Sequence, residues 1–177
     1  MTTKVINLFA GPGAGKSTTA SGLFYKMKLM GLKVELVREY VKDMVYEERD
    51  ILTDQLYIFG KQQRRQKILN GNVDWIVTDS PIILSAVYAP EVYYNSFQPL
   101  CLEVFNTYNN YNFFINRKKE YLQIGRTQTE QEARDIDYRV LDYLEDKNLK
   151  YVVVDGDEDV VDTILNKLNR HIYKDTI

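Results

Sequence analysis

The sequence predicts an α/β fold, a five-stranded parallel sheet flanked by helices, and three observations carry that expectation. Short apolar runs rich in Val, Ile, Phe and Tyr alternate with longer helical patterns along the whole chain, as in a parallel sheet whose crossovers are helices. Gly31 and Gly71 each follow such a helical pattern directly, at the position where a residue without Cβ closes a helix at least cost. No repeat, linker or low-complexity tract breaks the order. Residues 1–177 are therefore expected to form one domain, and 45% hydrophobic residues are enough to fill one core.

In chain order, the apolar run 5–9 reads as the first strand, and a glycine-rich turn leads from it into a helix over 16–30. A second strand is expected at 33–37 and a helix at 53–70, then a strand at 75–78 and a helix at 97–109. Strand 112–115, helix 130–146, strand 151–154 and helix 159–171 complete the order.

Composition narrows the function classes. A formal net charge of -2, with 27% charged residues, does not advertise a protein that coats DNA or lies on a membrane. Cys101 is the one cysteine, which excludes an internal disulfide and a cysteine metal cluster and fits a reducing cytoplasm. The N-terminus has neither the apolar stretch nor the cleavage site of a signal peptide, and no run is long enough to span a membrane. A cytoplasmic protein is expected. His171, the one histidine, lies in a predicted amphipathic helix and reads as structural. Cys101 sits in an apolar helical pattern and reads as a small core residue, so covalent Ser-His or Cys-His catalysis has no support.

The strongest motif is Ala10-Gly11-Pro12-Gly13-Ala14-Gly15-Lys16-Ser17-Thr18, between the first strand and the first helix. A turn so placed points backbone N–H groups at an anion, which identifies a phosphate-binding P-loop. Ala10 stands where the pattern has its first glycine, while Gly11, Gly13 and Gly15 keep the turn open. The amides from Gly11 through Ala14 and Gly15 to Thr18 are expected to cradle the phosphates of ATP. Lys16 should reach the β and γ phosphates, Ser17 should ligate Mg²⁺, and Thr18 can donate to the α phosphate.

A P-loop alone does not choose between kinases, GTPases and motor ATPases. Asp79 ends the third strand at the sheet edge where ligands bind, and can orient Mg²⁺ or its water. It can also serve as a helix N-cap ahead of Pro81. Ser80 follows it in place of the second acid of many hydrolytic machines, and no Asn-Lys-x-Asp guanine-reading motif occurs. Glu39 follows the second strand and should face the same crevice, either as a carboxylate for an acceptor hydroxyl or as a surface partner of Arg38 or Lys42. Which of Glu39 and Asp79 is the base stays open. On the helix 53–70, Gln55, Gln62 and Gln66 share a face with Ile58, Phe59 and Leu69, which reads as a substrate-pocket wall or as a half-exposed stripe. Tyr40 is placed to stack on an acceptor ring. The basic segment 117–128 reads as a lid, with Arg117 and Arg126 closing over ATP, or as a solvated face.

The ordered set Phe9 to Thr18, then Val37-Arg38-Glu39-Tyr40, then Thr78-Asp79-Ser80-Pro81 resembles the NadR-type family of P-loop kinases, which includes the domain that phosphorylates ribosylnicotinamide. The stretch from Asp54-Gln55 to Gln62-Gln63-Arg64-Arg65 is similar to the helix that meets substrate in that family, which implies a substrate contact for Arg65. The layout also resembles that of deoxynucleoside kinases, where an acid in the position of Glu39 serves as base. The resemblance implies a P-loop NTPase fold of the nucleoside and nucleotide kinase type. It also implies ATP- and Mg²⁺-dependent transfer of the γ-phosphoryl to a hydroxyl of a nucleoside, nucleotide or ribosyl compound. The alternatives are a kinase acting on a hydroxymethylated base in DNA and a nucleotide-responsive binding protein without small-molecule transfer.

Overall fold

A computed structural model of the chain describes residues 2–41, 54–122 and 128–172. Five parallel strands form one sheet in the order β2-β3-β1-β4-β5. They are β1 (Lys4–Phe9), β2 (Val34–Val37), β3 (Trp75–Thr78), β4 (Asn109–Asn116) and β5 (Val152–Asp155). The described helices are α1 (Lys16–Leu29), α2 (Gln55–Lys67), α3 (Leu84–Tyr88), α4 (Phe97–Asn106), α5 (Glu130–Asp146) and α6 (Val160–Ile172). The α/β sheet expected from the sequence is thus present with all five strands.

Alternation along β1 builds a core on each face. Val5 and Phe9 point to the face covered by α2, α3, α4 and α5, where Phe59, Ile83, Phe105, Val140 and Leu144 pack. Ile6 and Leu8 point to the other, where Leu23 and Met27 of α1 meet Ile164 and Leu168 of α6. Phe9 is completely buried, and burial of such a side chain contributes about 1.5–3 kcal/mol. Among the described residues no helix is long and apolar enough to cross a membrane.

The second helix ends at Lys67, short of the expected 70, and three further departures from expectation each have a physical reason. β4 starts at Asn109, not 112, because the pairing of Lys4, Val5 and Ile6 with Asn109, Asn110 and Tyr111 continues the ladder. Asparagines disfavour strands on propensity, yet here Asn7 Nδ2 donates to Asn110 Oδ1 at 2.9 Å and to Asn112 Oδ1 at 3.0 Å. That ladder also ends α4 at Asn106, three residues before the expected 109. The run from Pro81 to Val87, which matches neither helical nor strand period, holds the short α3, whose residues Leu84, Ser85, Ala86 and Val87 are all buried.

Order reverses around β1: the chain goes to β2 and β3 on one side and then to β4 and β5 on the other. Ligands of such sheets bind in the crevice beyond the carboxyl ends of the strands at this switch point. Phe9, Val37, Thr78 and Asn116 are those ends, so the residues just beyond them border one crevice.

Candidate active site

The loop after β1 forms the floor. Gly13 and Gly15 take positive φ of 78° and 97°, a region open to glycine at little cost, and Gly15 is the N-cap of α1. The side chain of Ala10 is fully buried in the core, which is how a small residue other than glycine fits at the loop's first position. Lys16 Nζ donates to the carbonyls of Ala10 and Gly11 at 2.8 and 2.9 Å. Burial of its ammonium lowers the Lys16 pKa from the usual 10.5, against the pull of Glu39, Asp79 and Asp137 and with a smaller push from Arg117. Ser17 and Thr18 lie on the first turn of α1, both exposed.

The two acids meet beside this loop. The Glu39 backbone N–H donates to Asp79 Oδ1 at 2.9 Å, and Asp79 is only 5% exposed. Asp79 therefore ties β3 to the segment after β2, and the N-cap of α3 is Ile83, without a side-chain cap bond; the N-cap alternative does not describe this carboxylate. Glu39 also lies close enough to Tyr88 of α3 to act on its phenol, which is held protonated by burial first and by Glu39 and Asp137 second.

α2 supplies the next wall. Gln55, Ile58, Phe59, Gln62 and Gln66 are its buried residues, so the glutamine stripe faces inward and is not half-exposed. Gln62 Oε1 accepts from the Tyr40 backbone N–H at 3.2 Å, which pins the segment after Glu39 to the helix. The Tyr40 and Tyr57 hydroxyls lie 2.9 Å apart. The Arg65 guanidinium stacks over the Tyr40 ring at 4.9 Å, and its Nη1 donates to the Arg38 carbonyl at 3.1 Å. Gln55 stands at the far end of this face, one residue after the N-cap Asp54.

Arg117, one residue after β4, is buried with its side chain 4% exposed, and its Nε and Nη2 donate to Asp137 Oδ2 at 3.1 and 2.9 Å. It lies against the loop floor, since a Cβ added at Gly13 would come within 3.2 Å of Arg117 Nη1 and 2.7 Å of the Tyr121 ring. Arg126, the other expected lid arginine, lies outside the described residues, as do positions 123–127 of the 117–128 segment. The structure thus gathers Lys16, Glu39, Asp79 and Arg117 at one crevice, with Tyr40, Gln62 and Arg65 bordering its β2 side.

The residue that sequence reasoning missed is Asp137. Its Oδ1 accepts from the Gly11 N–H at 2.5 Å while its Oδ2 holds Arg117. A signal existed: Asp137 falls four residues after Ala133 and three before Val140, on the buried stripe of α5, and an acid on such a stripe needs a partner. Cys101 is buried, and burial pushes its thiol up to about 12, as suits a core residue. His171 packs edge-on against Tyr111, with Nδ1 3.2 Å from the Tyr111 hydroxyl.

A family model described as an AAA domain, AAA_28, matches residues 5–160. Among solved structures, the chain is similar to deoxyadenosine kinase from M. mycoides, determined with products dCMP and a flexible dCDP bound. The TM-score is 0.61 at 17% identity, over 94% of this chain and 99% of that one. It is similar also to a NadR protein in complex with NR, with a TM-score of 0.71 at 16% identity over 93% of this chain. That similarity spans about half of the NadR chain, 51%. At such identities the likeness is one of fold. The search of curated proteins gives no match.

Proposed function

This chain belongs to the AAA_28 family of AAA domains, and from that we propose that it is an ATP- and Mg²⁺-dependent kinase. It transfers the γ-phosphoryl group to a hydroxyl of a nucleoside, a nucleotide or a ribosyl compound such as ribosylnicotinamide. The observation that carries this reading is the pairing of two acids at the P-loop crevice, Glu39 bonded through its amide to Asp79, with Lys16 within reach of both charges.

The residues present fit a bound polyphosphate. The loop turns through positive φ at Gly13 and Gly15, a lysine ammonium is held at its centre, and the buried Arg117 Nη1 beside it has no hydrogen-bond partner among the described residues. Mg²⁺ needs one or two protein oxygens once phosphates and waters complete its shell, and Ser17 with Asp79 would provide them. Bound ATP supplies the phosphoryl group, with the metal offsetting its charge.

This chain's residues would do the rest. The loop amides and Lys16 orient the phosphates, and Arg117 adds positive charge over Gly13. Glu39 orients the acceptor hydroxyl and takes its proton, with Asp79 as the other candidate base. Gln55 and Gln62 border the acceptor, Tyr40 offers a ring face, and Arg65 lies behind that ring.

A Glu39→Gln variant tests the assignment. It is expected to bind ATP as the parent does and to lose transfer by about 10²- to 10⁴-fold, the usual contribution of a positioned base. Unchanged transfer would remove Glu39 from this role. A nucleotide-responsive binding protein would bind ATP and transfer to no acceptor with either residue at position 39. The basic and aromatic cluster of Arg65 over Tyr40 and Lys61 over Tyr57 favours a second reading, transfer to a hydroxymethylated base in DNA. Steep loss of acceptor affinity with salt would mark it.

A further inference from the structure

α5 meets the P-loop at Gly11, and one of its carboxylates makes contacts with two different elements. Asp137 Oδ1 accepts from the N–H of Gly11, at the start of the loop, and Asp137 Oδ2 accepts from Nε and Nη2 of Arg117, at the end of β4. Backbone packing fixes the approach: a Cβ at Gly11 would come within 2.3 Å of the Ala133 carbonyl and 3.0 Å of Asp137 Oδ1, so the helix rests on the loop where only glycine fits. The Arg117 side chain is 4% exposed and that of Asp137 16%. Two of the three guanidinium nitrogens are taken up by Asp137. The third, Nη1, is buried without a hydrogen-bond partner among the described residues and faces the loop beside Gly13.

A buried N–H of a charged group without an acceptor is costly, and in a native structure it calls for a reason, a bound ion or a catalytic role among them. Nη1 stands where a phosphate oxygen over the loop would accept from it. A guanidinium gripped through Nε and Nη2 cannot turn in its plane, so its third nitrogen keeps one direction. The same carboxylate fixes the amide of Gly11, and so ties the height of the loop to the position of the arginine.

We propose that Asp137 is a positioning residue for ATP: it holds the loop through Gly11 and aims Arg117 Nη1 at the phosphates. This rests on the proposal that the crevice binds ATP. Asp137 touches no reacting atom; it acts through Arg117. An Asp137→Asn variant keeps an oxygen for Gly11 but turns an amide on the guanidinium, and it loses the charge that holds Arg117.

The test is a double-mutant cycle on the full chain, read as the Kd for ATP with Mg²⁺ and, alongside, as the melting temperature. Asp137→Asn and Arg117→Gln are each expected to weaken ATP binding about 10- to 100-fold, as for the loss of one charge-assisted hydrogen bond. The double variant is expected to be no weaker than either single one, because both remove the same contact. Losses that multiply would overturn the proposal, and so would wild-type affinity in Asp137→Asn. Should Asp137→Asn not fold, Arg117→Ala with added methylguanidinium decides: the proposal expects ATP affinity to return as the cation fills the site against Asp137, and no return overturns it. A parent chain that binds ATP no better than Lys16→Ala would instead overturn the ATP reading, and this proposal with it.

Discussion

Lys16 is a base drawn into the protein next to Glu39, Asp79 and Asp137, and burial outweighs those three acids in setting its pKa below 10.5. Between the lowered folded value and 10.5 the unfolded chain holds a proton that the folded chain has released, so stability rises with pH through that window. Relative to a Lys16→Met variant, the parent is expected to gain stability as pH rises toward 10.5. Urea unfolding of both chains across that range measures it, and a flat or falling difference would show that the acids outweigh burial. Polyphosphate favours the ammonium form, so ATP affinity is expected to fall over the same rise in pH. The P-loop was legible because its chemistry lies in one unbroken stretch, Ala10 to Thr18. The Arg117–Asp137 pair was not: its partners lie 20 residues apart in the chain, and Asp135 beside Asp137 has the same charge but bonds to Gln131 on the same helix.

At the scale of elements, α5 carries Asp137 to the loop, and its start is built for stability. Thr129 accepts from the Glu132 N–H through its hydroxyl while Glu132 accepts from the Thr129 N–H, a reciprocal capping box. A Thr129→Ala variant is expected to lose about 1 kcal/mol of stability, typical of an N-cap, measurable by urea unfolding. The bonds from Thr129 lower the Glu132 pKa. Its contribution is therefore present above the ordinary 4.5 and lost as pH falls through the lowered folded value, so the difference between parent and Thr129→Ala should shrink in acid. A difference that persists unchanged there would mean that the box is not formed. The bounds of α5 could be read from the sequence because an apolar stripe and a capping residue agree. α3 could not, since a helix buried on all sides shows no polar face and so no period.

For the whole molecule, the alternation of apolar runs and helical patterns specified a parallel sheet, because a parallel crossover needs a helix and both faces need cover. Strand order arises from packing between distant segments, which no local pattern reports, and it is the order that brings Glu39, Asp79 and Arg117 to the loop from three different strand ends. The acceptor side is less legible for the same reason: Tyr40, Gln62 and Arg65 become neighbours only when the segment after β2 meets α2. The central claim is phosphoryl transfer at this crevice. It is tested most directly with γ-labelled ATP and Mg²⁺, using nucleosides, ribosylnicotinamide, nucleoside monophosphates and hydroxymethylated DNA as acceptors and Lys16→Ala as the blank. Label moving to a nucleoside, nucleotide or ribosyl compound in the parent alone is the predicted result; ATP binding with no labelled acceptor across the panel would contradict it.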